Sequence, residues 1–227
     1  MLIPDNKLIS DGYIILEKYL KDNECIQMIT SLKKLGVFDY THEASAGNLL
    51  CTSPELYNFA EQTARQLLGE GGMQLSPIKA FILDKSIENN WYIPWHQDLK
   101  IAVKQILQVE GYTNWTLEAG IPHTEPPLNI LEGITTLRVH LDNCTKRNGA
   151  IYILPKTHNR GKLTSSQIEE AVTNETALCC EVQQGGVMIF KPLLLHNSPL
   201  SQQEMPRRIL QIEYVKKELL SPLLEWH

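Results

Sequence analysis

The chain has 227 residues, of which 43% are hydrophobic and 21% charged, and these values are ordinary for a soluble globular protein. Its 21 basic residues against 26 acidic ones give a net charge of −5 without a long basic run, so we expect no nucleic-acid partner. No apolar run approaches a membrane span, Met1–Lys7 lacks a signal-peptide pattern, and the five cysteines lack zinc-finger spacing. We therefore expect a cytoplasmic protein with reduced thiols and no membrane partner.

The first part of the chain, residues 1–72, is predicted to be mainly helical. One helix begins after Asp22, which is expected to be its N-cap. A second helix begins after the N-cap Ser53 with Pro54 at its first position, and Gly69 is expected to close it. The apolar stripe along each helix is typical of core packing rather than of a ligand groove.

From residue 73 onward, short apolar runs separated by Gly, Pro and Asn predict β-strands. The predicted strands are 78–83, 91–98 with an extension toward 103, 135–142, 150–154, 179–182, 187–190, 193–196 and 209–215. Residues 104–133 contain three prolines and three glycines without periodicity, and this pattern predicts an irregular lid over a binding cavity. The whole pattern predicts one mainly β (α+β) domain over residues 1–227, either a jelly roll or a barrel.

A candidate metal site lies in the strand that contains Trp95-His96-Gln97-Asp98. Residues i and i+2 of a strand point to the same face, so His96 and Asp98 project together while Gln97 points away. One imidazole and one carboxylate are two of the three ligands of the two-His, one-carboxylate triad that suits non-haem Fe(II). The motif alone is weak, because a chance His-x-Asp is common, and it lacks a second histidine.

His196 ends a later strand and is a candidate for the third ligand, although a histidine after three leucines is equally typical of a buried core residue. Arg207 and Arg208 begin the last predicted strand and face opposite ways, so one of them can point inward. A buried arginine needs an anion, and a guanidinium grips a carboxylate with two hydrogen bonds. This geometry is suited to the far end of a dicarboxylate co-substrate.

In their order along the chain, these motifs resemble the phytanoyl-CoA dioxygenase family of Fe(II)- and 2-oxoglutarate-dependent oxygenases. The matching segments are Trp95–Asp98, Arg138–Asp142, Arg147–His158, Gly185–Phe190, His196–Ser198 and Pro206–Arg208. The resemblance covers roughly residues 75–216. It implies a double-stranded β-helix, which is a cupin-like jelly roll, over residues 73–216, with the N-terminal helices packed outside it.

The resemblance implies that His96, Asp98 and His196 are the iron ligands and the catalytic centre. The cofactor would be Fe(II), with 2-oxoglutarate and dioxygen as co-substrates. The expected reaction is hydroxylation of an unactivated C–H bond in a small metabolite, amino acid or natural-product intermediate, with release of succinate and CO2. Because Asp98 is present, a halogenase is disfavoured, since halogenating relatives lack this carboxylate.

The resemblance also assigns residues to the co-substrate and the substrate. Arg207 matches the arginine that binds the 5-carboxylate of 2-oxoglutarate, with the Ser198 hydroxyl beside it and Lys85 as a polar or basic neighbour. The expected substrate contacts are Arg138, His140, Trp95 and His123. The segment Pro155–His158 departs from the family's usual turn, and this departure together with the long 104–133 segment leaves the substrate undefined.

A different class of function fits part of the same pattern. A jelly roll with two histidines and an aspartate is also consistent with a metal-binding cupin without oxygenase activity, a binding module or a zinc hydrolase. Arg207 separates these alternatives, because a hydrolase or a structural metal site has no need of it. The sequence predicts a small-molecule substrate and leaves the oligomeric state open.

Overall fold

The computed structural model describes residues 5–38, 48–118, 120–219 and 224. The helices are α1 (Asp5–Asp11), α2 (Asp22–Lys34), α3 (Leu49–Thr52), α4 (Pro54–Met73), α5 (Leu128–Gly133) and α6 (Ser165–Asn174). The strands are β1 (Tyr13–Leu16), β2 (Leu75–Lys85), β3 (Ile93–His96), β4 (Ile101–Ala102), β5 (Thr113–Glu118), β6 (Ile121–Glu125), β7 (Thr135–His140), β8 (Tyr152–Ile153), β9 (Leu178–Cys179), β10 (Val187–Phe190), β11 (His196–Ser198) and β12 (Arg207–Lys216). Every helix in these described ranges is too short or too polar to cross a lipid bilayer.

Two antiparallel sheets form the jelly roll that the sequence predicted. The larger sheet has the strand order β1–β10–β7–β12–β2, and the smaller has the order β3–β11–β8–β9. In the larger sheet β12 pairs with β2 along its whole length, and Arg207 lies directly opposite Lys85. The prediction of a mixed α+β protein with a cupin-like core is therefore confirmed.

The two faces of β12 explain how the helices and the jelly roll fit together. Leu210, Ile212 and Tyr214 join the cluster of apolar side chains that α2 and α4 bury against the larger sheet. The fully buried Tyr214 also donates its hydroxyl hydrogen to the carbonyl of Ala60 in α4, at 2.9 Å. The alternate positions of β12 point the other way, into the jelly roll.

The segment 104–133 is not irregular, and that prediction was wrong. β5 and β6 form a hairpin in which Glu118 pairs with Ile121, and β4 joins them in a third sheet. α5 then completes the segment. Most of β5 is exposed or half-buried, so its sequence shows no hydrophobic alternation, and the usual signal of a strand is missing. Whether the segment moves as a lid stays a prediction.

The ends of several elements also differ from the sequence-based expectation. The backbone of Lys21, rather than Asp22, occupies the N-cap of α2, and the Glu24 carboxylate accepts its N–H. Ser53 caps α4 as predicted. Gly69 adopts φ 56°, which favours glycine, but one further helical turn follows it as far as Met73. Glycine here bends the helix instead of closing it.

This last turn of α4 offers a matched pair of glycines for a stability test. A Cβ at Gly72 would collide with the carbonyl of Ala64, whereas a Cβ at Gly71 would meet nothing within 4 Å. We expect Gly72→Ala to lower the free energy of unfolding by about 1–3 kcal/mol, because the turn must move. Gly71→Ala should raise it by up to about 1 kcal/mol through helix propensity. Urea denaturation measures both values, and equal losses would contradict this packing.

Candidate metal centre and co-substrate cavity

Two histidines and one aspartate converge where the smaller sheet faces the interior. His96 on β3 and His196 on β11 are directly opposite one another in the pairing of these strands, with ring centroids 4.2 Å apart. Asp98 lies two residues beyond His96, and its carboxylate oxygens are 3.4 Å from Nε2 of His96 and 3.7 Å from Nε2 of His196. Ligand atoms of the three residues all lie within 4.8 Å of one another, which is close enough to hold one metal ion.

Backbone carbonyls orient both imidazoles toward this centre. Nδ1 of His96 lies 2.8 Å from the carbonyl of Pro94, and Nδ1 of His196 lies 2.9 Å from that of Leu194. A carbonyl only accepts, so each Nδ1 carries the proton, and Nε2 of the neutral ring keeps its lone pair. Such a carbonyl contact is the usual support of a metal-binding histidine.

Gln97 points away from the centre, as predicted, and fixes the chain between the two candidate ligands. Its side-chain nitrogen donates to the carbonyls of Leu193, at 2.7 Å, and Gly161, at 2.9 Å. Its oxygen accepts the N–H of Leu163 at 2.8 Å. The buried amide therefore ties the loop after β3 to two other segments, and the N–H of Asp98 adds a hydrogen bond to Pro192.

The three groups set one another's charge. Burial alone would raise the pKa of Asp98, but His196 and the hydrogen bond with His96 outweigh it and hold that pKa well below its usual range. Burial lowers the pKa of His196 to about 4. Burial would also lower the pKa of His96, but the contact with Asp98 raises it above its usual value. At neutral pH the centre thus holds the carboxylate of Asp98 and the neutral imidazole of His196.

Two buried cations lie at one end of the same interior. Arg207 is 1% exposed, donates to the carbonyl of Gly149 at 2.9 Å, and has no hydrogen-bond partner for its Nε. Lys85 is 0% exposed and donates to the Ser198 hydroxyl and the carbonyl of Pro199. Burial, and then the neighbouring Arg207, lowers the pKa of Lys85 to about 7. Within the described ranges neither cation forms an ion pair, so both side chains could donate to an anion in this interior.

A cavity of about 120 Å³ extends from the metal centre to Arg207, which lies directly opposite Lys85 in the strand pairing. Its walls come from both sheets and from the loop before β3, and they are Phe81, Leu83, Trp91, Ile93, His96, Asp98, Arg138, Ile151, His196, Ser198, Arg207 and Gln211. The indole of Trp91 lies 4.7 Å from Lys85 Nζ and 5.9 Å from the Arg207 guanidinium carbon. The cavity is smaller than the roughly 300–1,000 Å³ of a typical ligand cleft, so it suits one small molecule.

The structure places the predicted substrate contacts in different surroundings. Arg138 on β7 lines the cavity, and its Nε donates to the Gln211 side chain at 2.8 Å. His140 shares its face but does not line the cavity, and burial lowers its pKa to about 3, so it is neutral. His123 on β6 lies in the third sheet, 3.4 Å from Lys79. For His140 and His123 a substrate contact stays a prediction.

The expectation for Trp95 is corrected. This side chain packs with Leu154, Leu195 and α6 on the outer side of the smaller sheet, away from the cavity. The reason is the alternation of the strand, which puts Trp95 on the face opposite His96.

Sequence reasoning missed several walls of the cavity. The apolar walls, Phe81, Leu83 and Ile151, give no chemical signal in a sequence. Gln211 could have been found, because it is polar and lies four residues after Arg207 on a strand, which puts it on the same face.

A jelly roll that brings a two-His, one-carboxylate cluster beside buried cations has the architecture of Fe(II)- and 2-oxoglutarate-dependent oxygenases. The profile of the family described as phytanoyl-CoA dioxygenase (PhyH) matches residues 9–209 of this chain. The chain belongs to this family. Its cofactor is therefore Fe(II), and its co-substrates are 2-oxoglutarate and dioxygen. No curated protein sequence matches it significantly.

Solved structures with the same fold are distant in sequence. HygX from Streptomyces hygroscopicus, crystallised with nickel and 2-oxoglutarate, is 13% identical, has a TM-score of 0.66, and covers 96% of this chain and 88% of its own. EctD from S. alaskensis in its apoform is 17% identical, has a TM-score of 0.66, and covers 92% and 75%. AviO1 from Streptomyces viridochromogenes Tue57 is 15% identical, has a TM-score of 0.60, and covers 96% and 95%. These likenesses show the fold.

The anchoring role of Gln97 can be tested by stability. Gln97→Ala leaves two buried carbonyls and one N–H without their partner, so we expect a loss of about 2–4 kcal/mol in the free energy of unfolding. The exposed Gln183 is the matched control, and Gln183→Ala should change the value by less than about 0.5 kcal/mol. Urea denaturation followed by circular dichroism measures both, and similar small changes would contradict the anchoring role.

Proposed function

We propose that the chain hydroxylates an unactivated C–H bond of a small molecule, with Fe(II) held by His96, Asp98 and His196. One observation carries the proposal: a two-His, one-carboxylate cluster lines the same cavity as Arg207, which lies opposite Lys85, and neither buried cation has an ion-pair partner among the described residues. In the overall reaction the substrate C–H, 2-oxoglutarate and dioxygen give the alcohol, succinate and CO2. Bound Fe(II) supplies the oxidising chemistry.

The donor set fits this metal. Two neutral imidazole nitrogens and one carboxylate oxygen are the ligands of the facial triad, which leaves coordination positions for other molecules. Within the described residues no fourth His, Cys, Asp or Glu joins the cluster. A structural zinc site would normally be closed by a fourth protein ligand.

The buried cations fit a dicarboxylate. Arg207 has an unsatisfied Nε and Lys85 lies beside it on the neighbouring strand, so together they offer charged donors to one carboxylate. Ser198 receives a hydrogen bond from Lys85 at 2.8 Å and can donate its own hydrogen to the same anion. We assign the 5-carboxylate of 2-oxoglutarate to this end, and Trp91 shields it from water.

The remaining residues bind and position. Phe81, Leu83 and Ile151 line the cavity with apolar surface and exclude water from it. Arg138 brings a further positive charge near Asp98, where a substrate or co-substrate carboxylate would be neutralised. Hydroxylation is one of several outcomes on this fold, because two other solved structures with it are an epimerase, SnoN, and a carbocyclase, SnoK, both α-ketoglutarate-dependent and from nogalamycin biosynthesis.

A metal-binding cupin without oxygenase activity is the second candidate. It shares the triad but has no use for Lys85 and Arg207 as a pair. Anaerobic addition of Fe(II) and then 2-oxoglutarate separates the two, because chelated 2-oxoglutarate gives a visible charge-transfer band. A metallated protein that shows no band would favour the second candidate.

Removing the charge of Asp98 tests the triad. Asp98→Asn should lower 2-oxoglutarate turnover, measured as succinate, at least about 100-fold, because the anionic ligand is lost. Its affinity for Mn(II), measured by calorimetry, should fall in parallel. Asp22→Asn neutralises an exposed carboxylate at the start of α2 and should leave both values unchanged. Full turnover by Asp98→Asn would refute the assignment.

Exchanging neighbouring arginines tests the carboxylate site. Arg207→Lys should raise the apparent Kd for 2-oxoglutarate at least about tenfold, because lysine cannot form the bidentate contact. Arg208 points to the outer face, where it donates to Asp142 at 2.7 Å. Arg208→Lys is therefore the matched control and should leave this Kd within about twofold. Titration of the charge-transfer band gives both constants, and equal values in the two variants would place the carboxylate elsewhere.

A further inference from the structure

Glu213 is a charged side chain beside the cavity that the proposed function does not use. Glu213 lies two residues after Gln211 on β12, so the two side chains share the interior face. Gln211 lines the cavity and its amide nitrogen lies 3.3 Å from a carboxylate oxygen of Glu213. Burial raises the pKa of Glu213, Lys79 lowers it, and the more distant charges of Asp98 and Arg138 shift it in opposite directions. Glu213 therefore lies on the interior face beside the cavity wall formed by Gln211, at the end away from Arg207.

Lys79 lowers the pKa of this carboxylate but forms no close ion pair with it. It lies directly opposite Glu213 on β2, but its Nζ is 3.4 Å from Nε2 of His123 and 5.0 Å from the ring centroid of Phe81. In the described part of the chain Glu213 forms no ion pair within 4 Å, and the amide of Gln211 is its one side-chain hydrogen bond. A half-buried carboxylate with one neutral donor retains most of its capacity to accept.

Arg138 presents the opposite charge a short distance away. It is 7% exposed, and among the described residues its one side-chain hydrogen bond goes from Nε to the neutral Gln211. Its terminal nitrogens remain for an anion in the cavity that it lines. Arg138 on β7 lies opposite Gln211 on β12. Glu213 is therefore the diagonal cross-strand neighbour of Arg138, and the backbones at such positions are about 7–8 Å apart.

The metal centre is most exposed to solvent on the side formed by His96 and Asp98. The side chains of His96 and Asp98 are 31% and 34% exposed, while that of His196 is 2% exposed. A cavity of about 120 Å³ is taken up by the co-substrate, so a substrate must approach from the His96 and Asp98 side. A molecule placed there has both Glu213 and Arg138 within reach.

We propose that Glu213 binds the cationic nitrogen of the substrate while Arg138 binds its anionic group, so that the substrate is a small zwitterion of the amino-acid type. This inference rests on the proposed function and names the substrate class of the same site. A neutral molecule would leave the buried Arg138 and the half-buried Glu213 without a counter-ion, which is costly, so the two charges select against it.

The test uses the whole protein, loaded anaerobically with Fe(II) and 2-oxoglutarate. The probes are the twenty free L-amino acids, and binding is followed by the shift of the charge-transfer band and by calorimetry. The tightest ligand is then compared with its N-acetyl derivative, which keeps the carboxylate and lacks the cation. We expect acetylation to raise Kd at least tenfold in the wild type, and this ratio to fall to within twofold in Glu213→Gln.

Three variants separate recognition from structure. Glu213→Asp keeps the charge and should preserve most of the preference for the free amine. Glu218→Gln removes an exposed carboxylate shortly after β12 and should keep the wild-type ratio. Lys79→Gln should also keep the wild-type ratio. If Lys79 and Glu213 formed a purely structural pair, Lys79→Gln and Glu213→Gln would change the ratio alike.

The outcomes are distinguishable. If the band forms but none of the amino acids binds, or the ratio is unchanged in Glu213→Gln, the zwitterion proposal is overturned and the proposed function stands. If the fully metallated wild type gives no band, the proposed function fails and the inference fails with it. The comparison of free and acetylated ligand on the wild type does not depend on the folding of any variant.

Discussion

Burial of positive charge without a protein counter-ion is the constraint on which this structure depends. Lys85, Arg138 and Arg207 lie inside the jelly roll, and the described residues supply neutral hydrogen-bond acceptors to them but no carboxylate within ion-pair distance. Isolated buried charges cost several kcal/mol each, even after relaxation. The positive charge of the interior favours binding of anions. An anionic ligand that binds there also raises the free energy of unfolding.

The pairing of two short strands sets the geometry of the metal centre. β3 and β11 put His96 and His196 opposite each other, and a carbonyl two residues before each histidine sets its tautomer. Gln97 lies between His96 and Asp98 but faces the other way. One three-residue segment therefore contributes two candidate metal ligands to the interior and one structural anchor to the opposite face, which is the direct result of a two-residue side-chain period.

The sequence was sufficient for the features that rest on this period or on a motif. Alternation predicted that His96 and Asp98 lie together, and they do although β3 ends at His96, because the N–H of Asp98 still donates to the carbonyl of Pro192. The same rule, applied consistently, would have excluded Trp95. This rule could not identify β5, because both faces of that strand are largely exposed. It also could not identify the final turn of α4, because a glycine near the end of a helix predicts that the helix stops there, whereas Gly69 only bends it.

Long-range contacts were beyond the reach of the sequence. That Lys85 meets Ser198 depends on how β2 of the larger sheet faces β11 of the smaller sheet, 113 positions later, which no local pattern encodes. That Arg138 forms a hydrogen bond with Gln211 and no ion pair within the described residues likewise depends on packing from several strands.

Gly149 is a turn residue whose backbone lies beside the buried Arg207 and Lys85. Its φ of 89° suits the turn after Lys146–Asn148, its carbonyl accepts from Arg207, and a Cβ there would come within 3.0 Å of both the Lys85 stem and the carbonyl of Pro199. The backbone of a turn thus forms part of the wall around the anion site. For protein engineering, a library aimed at new substrates should hold position 149 fixed and diversify positions around Gln211, so that the surroundings of Arg207 and Lys85 stay unchanged.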